Sequence, residues 1–310
     1  MFIPVIGAGS IGRRHHGNLQ TLGVRTALLP WRGFDPDAFR RLGADAAVIA
    51  TATQVRLDPV GLCAELGIPF YVEKPLSHDP GTVDAILNVA GPLSCRSMVG
   101  FMMRYHPAVR LLAETDLVGM YDASFGIGHD VRQWRQNWSF ANSYAARPED
   151  GGVLLDLCHE LDLALALLPG ARVAEVTSLG HAGFPGVDFA SRIDLAGSGL
   201  IGSVAMDYLS PVSFRRIVLR GTGGVADFDL IAGRYRIDRG NGPQDVDLPF
   251  ERNDMFLAAM RDFLHLVAGK APQDSLGLLP RLDLVAGNCR SIASAWAARR
   301  FVGKIEGDYS

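Results

Sequence analysis

The sequence predicts an α/β protein in two parts, a doubly wound parallel sheet over residues 1–118 and an α/β domain with a largely antiparallel sheet over 119–310. Three observations carry this. In the first part short apolar runs alternate with helix-like stretches, the pattern of parallel strands joined by crossover helices. Beyond about residue 118 strand-like runs follow one another across short glycine turns, the pattern of an antiparallel sheet. The third is length, since 310 residues are many for one compact core.

Hydrophobic residues make up 48% and charged residues 20% of the chain, ordinary for a globular protein. A net charge of −3 provides no broad basic field for nucleic acid or an anionic membrane. Cys63, Cys95, Cys158 and Cys289 form no Cys-x-x-Cys pair, which argues against a disulfide framework and a structural zinc. No uninterrupted apolar run reaches the roughly 18 residues of a membrane span. The chain enters a strand at once, without the charged and apolar regions of a signal peptide. The expectation is a reduced, cytoplasmic protein.

In order, Phe2–Ile6 reads as a strand, Gly7-Ala-Gly9-Ser-Ile-Gly12 as a turn and Arg13–Leu22 as a helix. Strand, glycine turn and helix form the context of a dinucleotide fingerprint, in which Gly7, Gly9, Ser10, Ile11 and Gly12 would face the cofactor. Gly7 permits the tight turn, Gly9 lets the backbone approach a pyrophosphate and Gly12 allows helix–strand packing. The helix N-terminus adds N–H groups and a favourable dipole. The second strand is Arg25–Leu29. An NAD site usually places Asp or Glu at its end; here Pro30-Trp31-Arg32 follows, and the nearest carboxylate, Asp35, lies beyond a glycine. Arg32 suits a 2′-phosphate and favours NADP over NAD; the alternative is an exposed loop arginine.

Asp45–Ala50 reads as a buried strand whose exit carries Thr51 and Thr53, small enough for close cofactor approach. A helix over Leu57–Leu66 leads to the strand Ile68–Val72, which ends at Glu73-Lys74-Pro75 and puts Lys74 at a carboxyl end, where ligands of open α/β sheets bind. A helix over Pro80–Val89, a strand over Ser94–Gly100 and a helix over Ala108–Glu114 complete this part. Strands follow at Tyr121–Gly128, Val173–His181, Phe189–Leu195, Leu200–Asp207, Phe214–Gly221, Val225–Leu230 and Arg234–Arg239. Helices are expected at Val153–Leu168, Asp254–Ala268 and Pro280–Arg300. The first of these puts Asp156 and His159 three residues apart, on one helical face. Lys74, Asp156 and His159 make a proton-transfer set if the fold unites them.

Four segments, Gly7–His15 (GAGSIGRRH), Ala47–Thr51 (AVIAT), Val72–Ser77 (VEKPLS) and Gly151–Asp162 (GGVLLDLCHELD), resemble in kind and order those of the Gfo/Idh/MocA family of nicotinamide-dependent sugar and cyclitol oxidoreductases. The likeness runs from the first strand to the closing helix. It implies a Rossmann domain, a second domain whose open sheet builds a homodimer or homotetramer, NADP or NAD as cofactor, and hydride exchange with a secondary alcohol or ketone of a sugar. Trp134-Arg135 and Ser143–Arg147 resemble members acting on nucleotide-linked or surface-polysaccharide sugars. Two departures stand out. The helix Asp and His are three residues apart where many members have four, and the acid after the second strand is missing.

On that resemblance His159 is the acid/base, since an imidazole ordinarily titrates near about 6.5. Lys74 would steady the developing alkoxide, Asp156 would orient, and Glu73 would lie on the cofactor side. Arg104, Tyr105, Trp134, Arg135, Tyr144 and Arg147 are candidate substrate contacts, aromatic and cationic as a sugar and an anionic group require. The bland alternatives are a helix histidine satisfied by an aspartate and a loop that only packs. Arg13-Arg14-His15-His16, Arg215-Arg216 and Arg299-Arg300 read as solvated faces. No second histidine follows His159-Glu160 at His-Glu-x-x-His spacing, so no metal site is expected. Two rivals keep the architecture: a cofactor-binding sensor without catalysis, and a reductase of C=N or C=C bonds.

Overall fold

A computed structural model describes residues 1–133, 139–197 and 199–309. Two compact units emerge, one of residues 1–106 and 250–290, the other of residues 107–249 and 291–310. The sequence-based boundary at 118/119 thus lies inside the second unit, and the first takes back a late segment of chain. Among the described residues the strands form two sheets.

The first unit builds its sheet from β1 (Val5–Ile6), β2 (Leu28–Leu29), β3 (Ala47–Ile49), β4 (Phe70–Val72) and β5 (Met98–Val99). All pairings are parallel and the order is β2-β1-β3-β4-β5. The chain leaves β1 for β2 on one side and returns to β3 on the other, so the switch point lies at the carboxyl ends of β1 and β3. This is the Rossmann-type doubly wound sheet that the alternation predicted. β1, β3, β4 and β5 are wholly buried, as apolar runs covered on both faces should be.

The crossover helices are α1 (Ser10–Thr21), α2 (Pro36–Arg40), α3 (Leu57–Glu65) and α4 (Pro80–Ala90). The reading above lacks α2, though the sequence marks it: Asp35 caps it, accepting from the amides of Asp37 and Ala38, and Pro36 opens it. The expected strand Ser94–Gly100 is shorter, because Gly91–Arg96 winds as a 3-10 helix before β5. The expected helix from Pro280 starts only at Ala286. Residues 280–282 instead satisfy the open edge of β5, Val99 N–H donating to Pro280 O and Leu282 N–H to Ser97 O, both at 2.9 Å.

In the second unit a helix α5 (Pro107–Glu114) precedes β6 (Met120–Gly128), and two short helices, α6 (Val153–Asp156) and α7 (His159–Leu167), follow. The long strands are β7 (Arg172–His181), β8 (Phe184–Gly197), β9 (Leu200–Asp207) and β10 (Phe214–Gly221). Shorter ones are β11 (Gly224–Asp229), β12 (Arg234–Asp238) and β13 (Pro243–Val246). Two more helices follow: α8 (Arg252–Val267), in the first unit, and α9 (Ala286–Ala297), in which the division falls. A last strand, β14 (Arg300–Ile305), ends the second sheet. The order is β13-β12-β11-β10-β6-β9-β8-β7-β14, antiparallel except at β6/β9 and β7/β14. The sheet is therefore mixed and largely antiparallel, with α6 and α7 against β6, β8 and β9.

The expected single helix over Val153–Leu168 is two. Leu157 leaves helical geometry at φ −100°, ψ 25°, and Glu160 N–H closes on Leu157 O at 3.4 Å as a three-residue turn. Asp156 ends α6 and His159 begins α7, so continuous-helix spacing does not govern how they face. No helix is long and apolar enough to cross a membrane among the described residues.

Candidate active site

In the first unit the glycine loop follows β1. Gly7 has φ +110°, and a Cβ there would lie 2.4 Å from Ala50 O, across the switch point. A Cβ at Gly12 would lie 1.9 Å from Gly7 O, so α1 packs directly on the turn that precedes it. At Gly9, the N-cap of α1, a Cβ would meet nothing within 4 Å. The loop thus needs glycine at 7 and 12 for its own packing, while Gly9 opens onto free space ahead of the helix N-terminus. Ser10 is exposed and Ile11 half-buried beside it. Thr51, at the exit of β3, buries a hydroxyl with no hydrogen-bond partner among the described residues, and Thr53 opens a half-buried 3-10 turn. An open glycine, a helix N-terminus and an orphaned hydroxyl fit the phosphates and ribose of a dinucleotide.

Past β2, Trp31 stacks on Phe34 with centroids 5.3 Å apart, and Arg32 is exposed. Its guanidinium has no partner among the described residues. Asp35 is committed to capping α2, so the nearest acid does not stand in for the missing ribose carboxylate.

Lys74 is half-buried and its peptide bond to Pro75 is cis. Buried Arg56 donates Nη2 to Thr51 O at 3.3 Å and to Lys74 O at 3.2 Å, tying the exits of β3 and β4 together. Glu73 turns inward. Its Oε1 lies 2.7 Å from His15 Nε2, and a Cβ on Gly100 would come within 2.8 Å of the same oxygen. Burial pushes the Glu73 carboxyl up, but the His15 hydrogen bond and charge, with Lys74 and Arg56, hold it below the usual range. His15 is wholly buried between Tyr71 and Phe256, at 5.1 and 6.1 Å, so the expected solvated face of Arg13–His16 is corrected there. A basic run looks solvated until a buried carboxylate sits opposite one of its members.

Arg104 and Tyr105 are buried in the first unit. The Arg104 Nη1 donates to Leu278 O at 3.4 Å and the Tyr105 hydroxyl to Asp262 Oδ2 at 2.9 Å, on α8.

In the second unit the Gly151-Gly152 pair is explained by close approach. A Cβ at Gly151 would lie 2.5 Å from the carbonyls of Arg147 and Tyr144. Gly152, at φ +95°, would set a Cβ 1.9 Å from Asp188 Oδ1. Asp188 is wholly buried in β8. It accepts from Leu154 N–H at 3.0 Å, serving as the cap that Gly152 cannot be, and from Ser191 Oγ at 2.8 Å. It is also paired with Arg299, whose guanidinium lies 4.0 Å over the Trp296 ring. The expected solvated face at Arg299-Arg300 is therefore corrected at Arg299. Arg215 is likewise paired, its Nε 2.5 Å from Oε1 of buried Glu160.

Asp156 ends α6 with both oxygens engaged: Tyr144 donates its hydroxyl to Oδ1 at 2.6 Å and Tyr208 to Oδ2 at 3.0 Å. Tyr208 is wholly buried, and burial with the nearby Asp156 charge pushes its phenol well above the usual value. His159 opens α7 and is buried. His129, just past β6, packs edge-on to Tyr208 at 6.0 Å; burial pushes it below its usual value against the pull of Asp156, Asp207 and Asp130. Arg147 is paired with buried Asp150 at 3.0 Å. Trp134 and Arg135 lie outside the described residues. Within this unit the fold brings Tyr144 and Asp156 together. Tyr208 and Asp188 escaped the sequence reading; Asp188 lies within β8 and Tyr208 just past the end of β9. Among the described residues no cluster of His, Cys, Asp and Glu could hold a metal.

No protein-family model matches the chain. It is similar to a UDP-N-acetylglucosamine 3-dehydrogenase of Acidithiobacillus ferrooxidans, 25% identical over 306 residues that cover 91% of this chain and 93% of the relative. A solved structure of a UDP-N-acetylglucosamine 3-dehydrogenase from that organism superposes with a TM-score of 0.75 at 19% identity, covering 96% of this chain and 95% of that one. A levoglucosan dehydrogenase in complex with NADH gives 0.72 at 17% identity, covering 96% and 97%. A 3-ketoreductase from Actinomadura kijaniata in complex with NADP and TDP-benzene gives 0.75 at 14%, covering 98% and 99%.

Proposed function

We propose that the chain is an NAD(P)-dependent oxidoreductase that exchanges hydride with a secondary alcohol or ketone of a sugar, in nucleotide-linked form, with NADP favoured. The single observation that carries the reading is the loop at Gly7–Gly12, closed by packing at its ends and open at Gly9 in front of a helix N-terminus. Likeness to a UDP-N-acetylglucosamine 3-dehydrogenase along most of the chain supports the sugar and its nucleotide.

The nicotinamide, when bound, accepts or returns the hydride. His159 takes the hydroxyl proton in the oxidative direction and gives it back in the other. The Lys74 ammonium donates to the reacting oxygen and its charge favours the developing alkoxide. Asp156 orients neighbouring groups, and Tyr144 contacts the sugar. Arg32 pairs with the 2′-phosphate. The reading extends to a homodimer or homotetramer through the open sheet and, with no Cys-x-x-Cys pair in the sequence, to a reducing, cytoplasmic setting.

The test is a fluorescence titration of wild type and Arg32→Ala with NADPH and NADH, followed by turnover of UDP-N-acetylglucosamine and UDP-glucose. NADPH should bind more tightly than NADH, and Arg32→Ala should weaken NADPH by about ten-fold or more while sparing NADH. Tighter binding of NADH removes Arg32's role. Binding of neither dinucleotide overturns the oxidoreductase reading.

A further inference from the structure

In the second unit one carboxylate is held between two phenols of unlike setting. Tyr208, just past β9, is wholly buried, with the rings of Phe140 and Phe189 at 5.6 and 6.0 Å. Tyr144 opens the 3-10 turn Tyr144–Ala146 and is 49% exposed. Each donates its hydroxyl to a different oxygen of Asp156, at 3.0 and 2.6 Å. A phenol has one proton to donate. With that proton committed to Asp156, the Tyr144 oxygen meets any other polar group only as an acceptor.

We propose that Tyr144 is a specificity-determining acceptor for a ring hydroxyl of the sugar, and that Tyr208 is the positioning residue that holds it through Asp156. The proposal rests on the sugar reading above and adds the polarity of one contact. An ionised phosphate has no proton to donate, so the diphosphate of a sugar nucleotide is excluded from this position. The anchoring is firm at its base. Asp156 ends a helix whose first turn is capped by buried Asp188, and Gly152 N–H donates to Ala145 O at 2.9 Å, fastening the turn that carries Tyr144. A phenylalanine at 208 would fill the same space yet leave Oδ2 short of a charge-assisted donor. The carboxylate could then turn away from Tyr144.

The test measures binding by calorimetry, independent of turnover. UDP-N-acetylglucosamine, and analogues with each ring hydroxyl in turn replaced by fluorine, are titrated into wild type, Tyr144→Phe, Tyr208→Phe and the double variant, with NADPH as a control ligand. Each single variant should weaken UDP-N-acetylglucosamine by about ten-fold. The double should be no weaker than Tyr144→Phe, because Tyr208 acts through the same contact, and NADPH affinity should not move. One fluoro analogue should bind wild type about ten-fold more weakly and lose that penalty in Tyr144→Phe. Additive losses in the double variant, or an unchanged affinity in a Tyr208→Phe protein that merely melts earlier, overturn the positioning role. Should Tyr208→Phe not fold, Asp156→Asn takes its place in the cycle with the same non-additivity expected. A uniform response to all fluoro analogues, or no binding of any of these sugars by wild type, overturns the acceptor role. Sugar binding without turnover overturns the oxidoreductase reading alone.

Discussion

Two alanine substitutions three residues apart should have opposite consequences. At Gly9 the backbone is extended (φ −69°, ψ −179°) and an added Cβ meets nothing within 4 Å, so Gly9→Ala introduces neither strain nor a clash. Reduced freedom of the unfolded chain should leave its stability unchanged or raise it by about 0.4–1 kcal/mol. At Gly12 the Cβ would lie 1.9 Å from Gly7 O, a backbone atom that can yield only by moving α1 off the turn. Overpacking of this kind costs about 1–3 kcal/mol, a loss of several degrees in Tm. Dinucleotide affinity should show at Gly9 the harm that stability does not. If a pyrophosphate occupies the space ahead of Gly9, the new methyl displaces it from one or two amide donors worth about 1.5–3 kcal/mol each. At about 1.4 kcal/mol per decade, NADPH should bind at least ten-fold more weakly. The assay is differential scanning fluorimetry of both variants beside NADPH titration of Gly9→Ala. A Gly9→Ala protein that melts and binds NADPH like wild type refutes the loop as the pyrophosphate site, and a Gly12→Ala protein of unchanged Tm refutes the packing argument.

Three further outcomes are expected. Lys74→Met and His159→Ala should each lower kcat by about 100-fold or more, with NADPH affinity kept in His159→Ala; steady-state rates within a few-fold of wild type would remove the acid/base assignment. Asp188→Ala strands the Arg299 guanidinium and the Leu154 amide, and removing one member of a buried ion pair costs about 3–5 kcal/mol; calorimetric melting should show it, and a change under 1 kcal/mol would mean that water takes over the role. Glu73, held below the usual carboxylate range, binds its proton less readily folded than unfolded. Its stabilisation is therefore complete above the unfolded value near about pH 4.3 and fades as acid carries the pH down through the lower folded value. Tm against pH should fall more steeply in that window for wild type than for Glu73→Gln, and parallel curves would dismiss the coupling.

What could be read from the sequence is what the backbone demands locally. Gly7 and Gly12 announce a turn that no side chain tolerates, and the apolar runs at 47–49 and 70–72 announce strands covered on both faces. Together these give the parallel sheet, its glycine loop and the strand end at Lys74. The cap at Asp79 before Pro80 marked one helix start, the same signal at Asp35-Pro36 was passed over, and helix limits failed where tertiary pairing overrode local preference, as at residues 280–282 along the edge of β5. The break between Asp156 and His159 also left no local mark. Partnership was decided by the fold alone. His15 looked like part of a solvated basic run and is buried against Glu73, 58 positions away. Arg299 looked solvated and is paired with Asp188, 111 positions away. Asp156 looked like half of a helical pair and is held by Tyr208, 52 positions on. A side chain's preference for water or the interior belongs to the residue, but the cost of burying a charge depends on which opposite charge or hydroxyl the fold sets within hydrogen-bond reach.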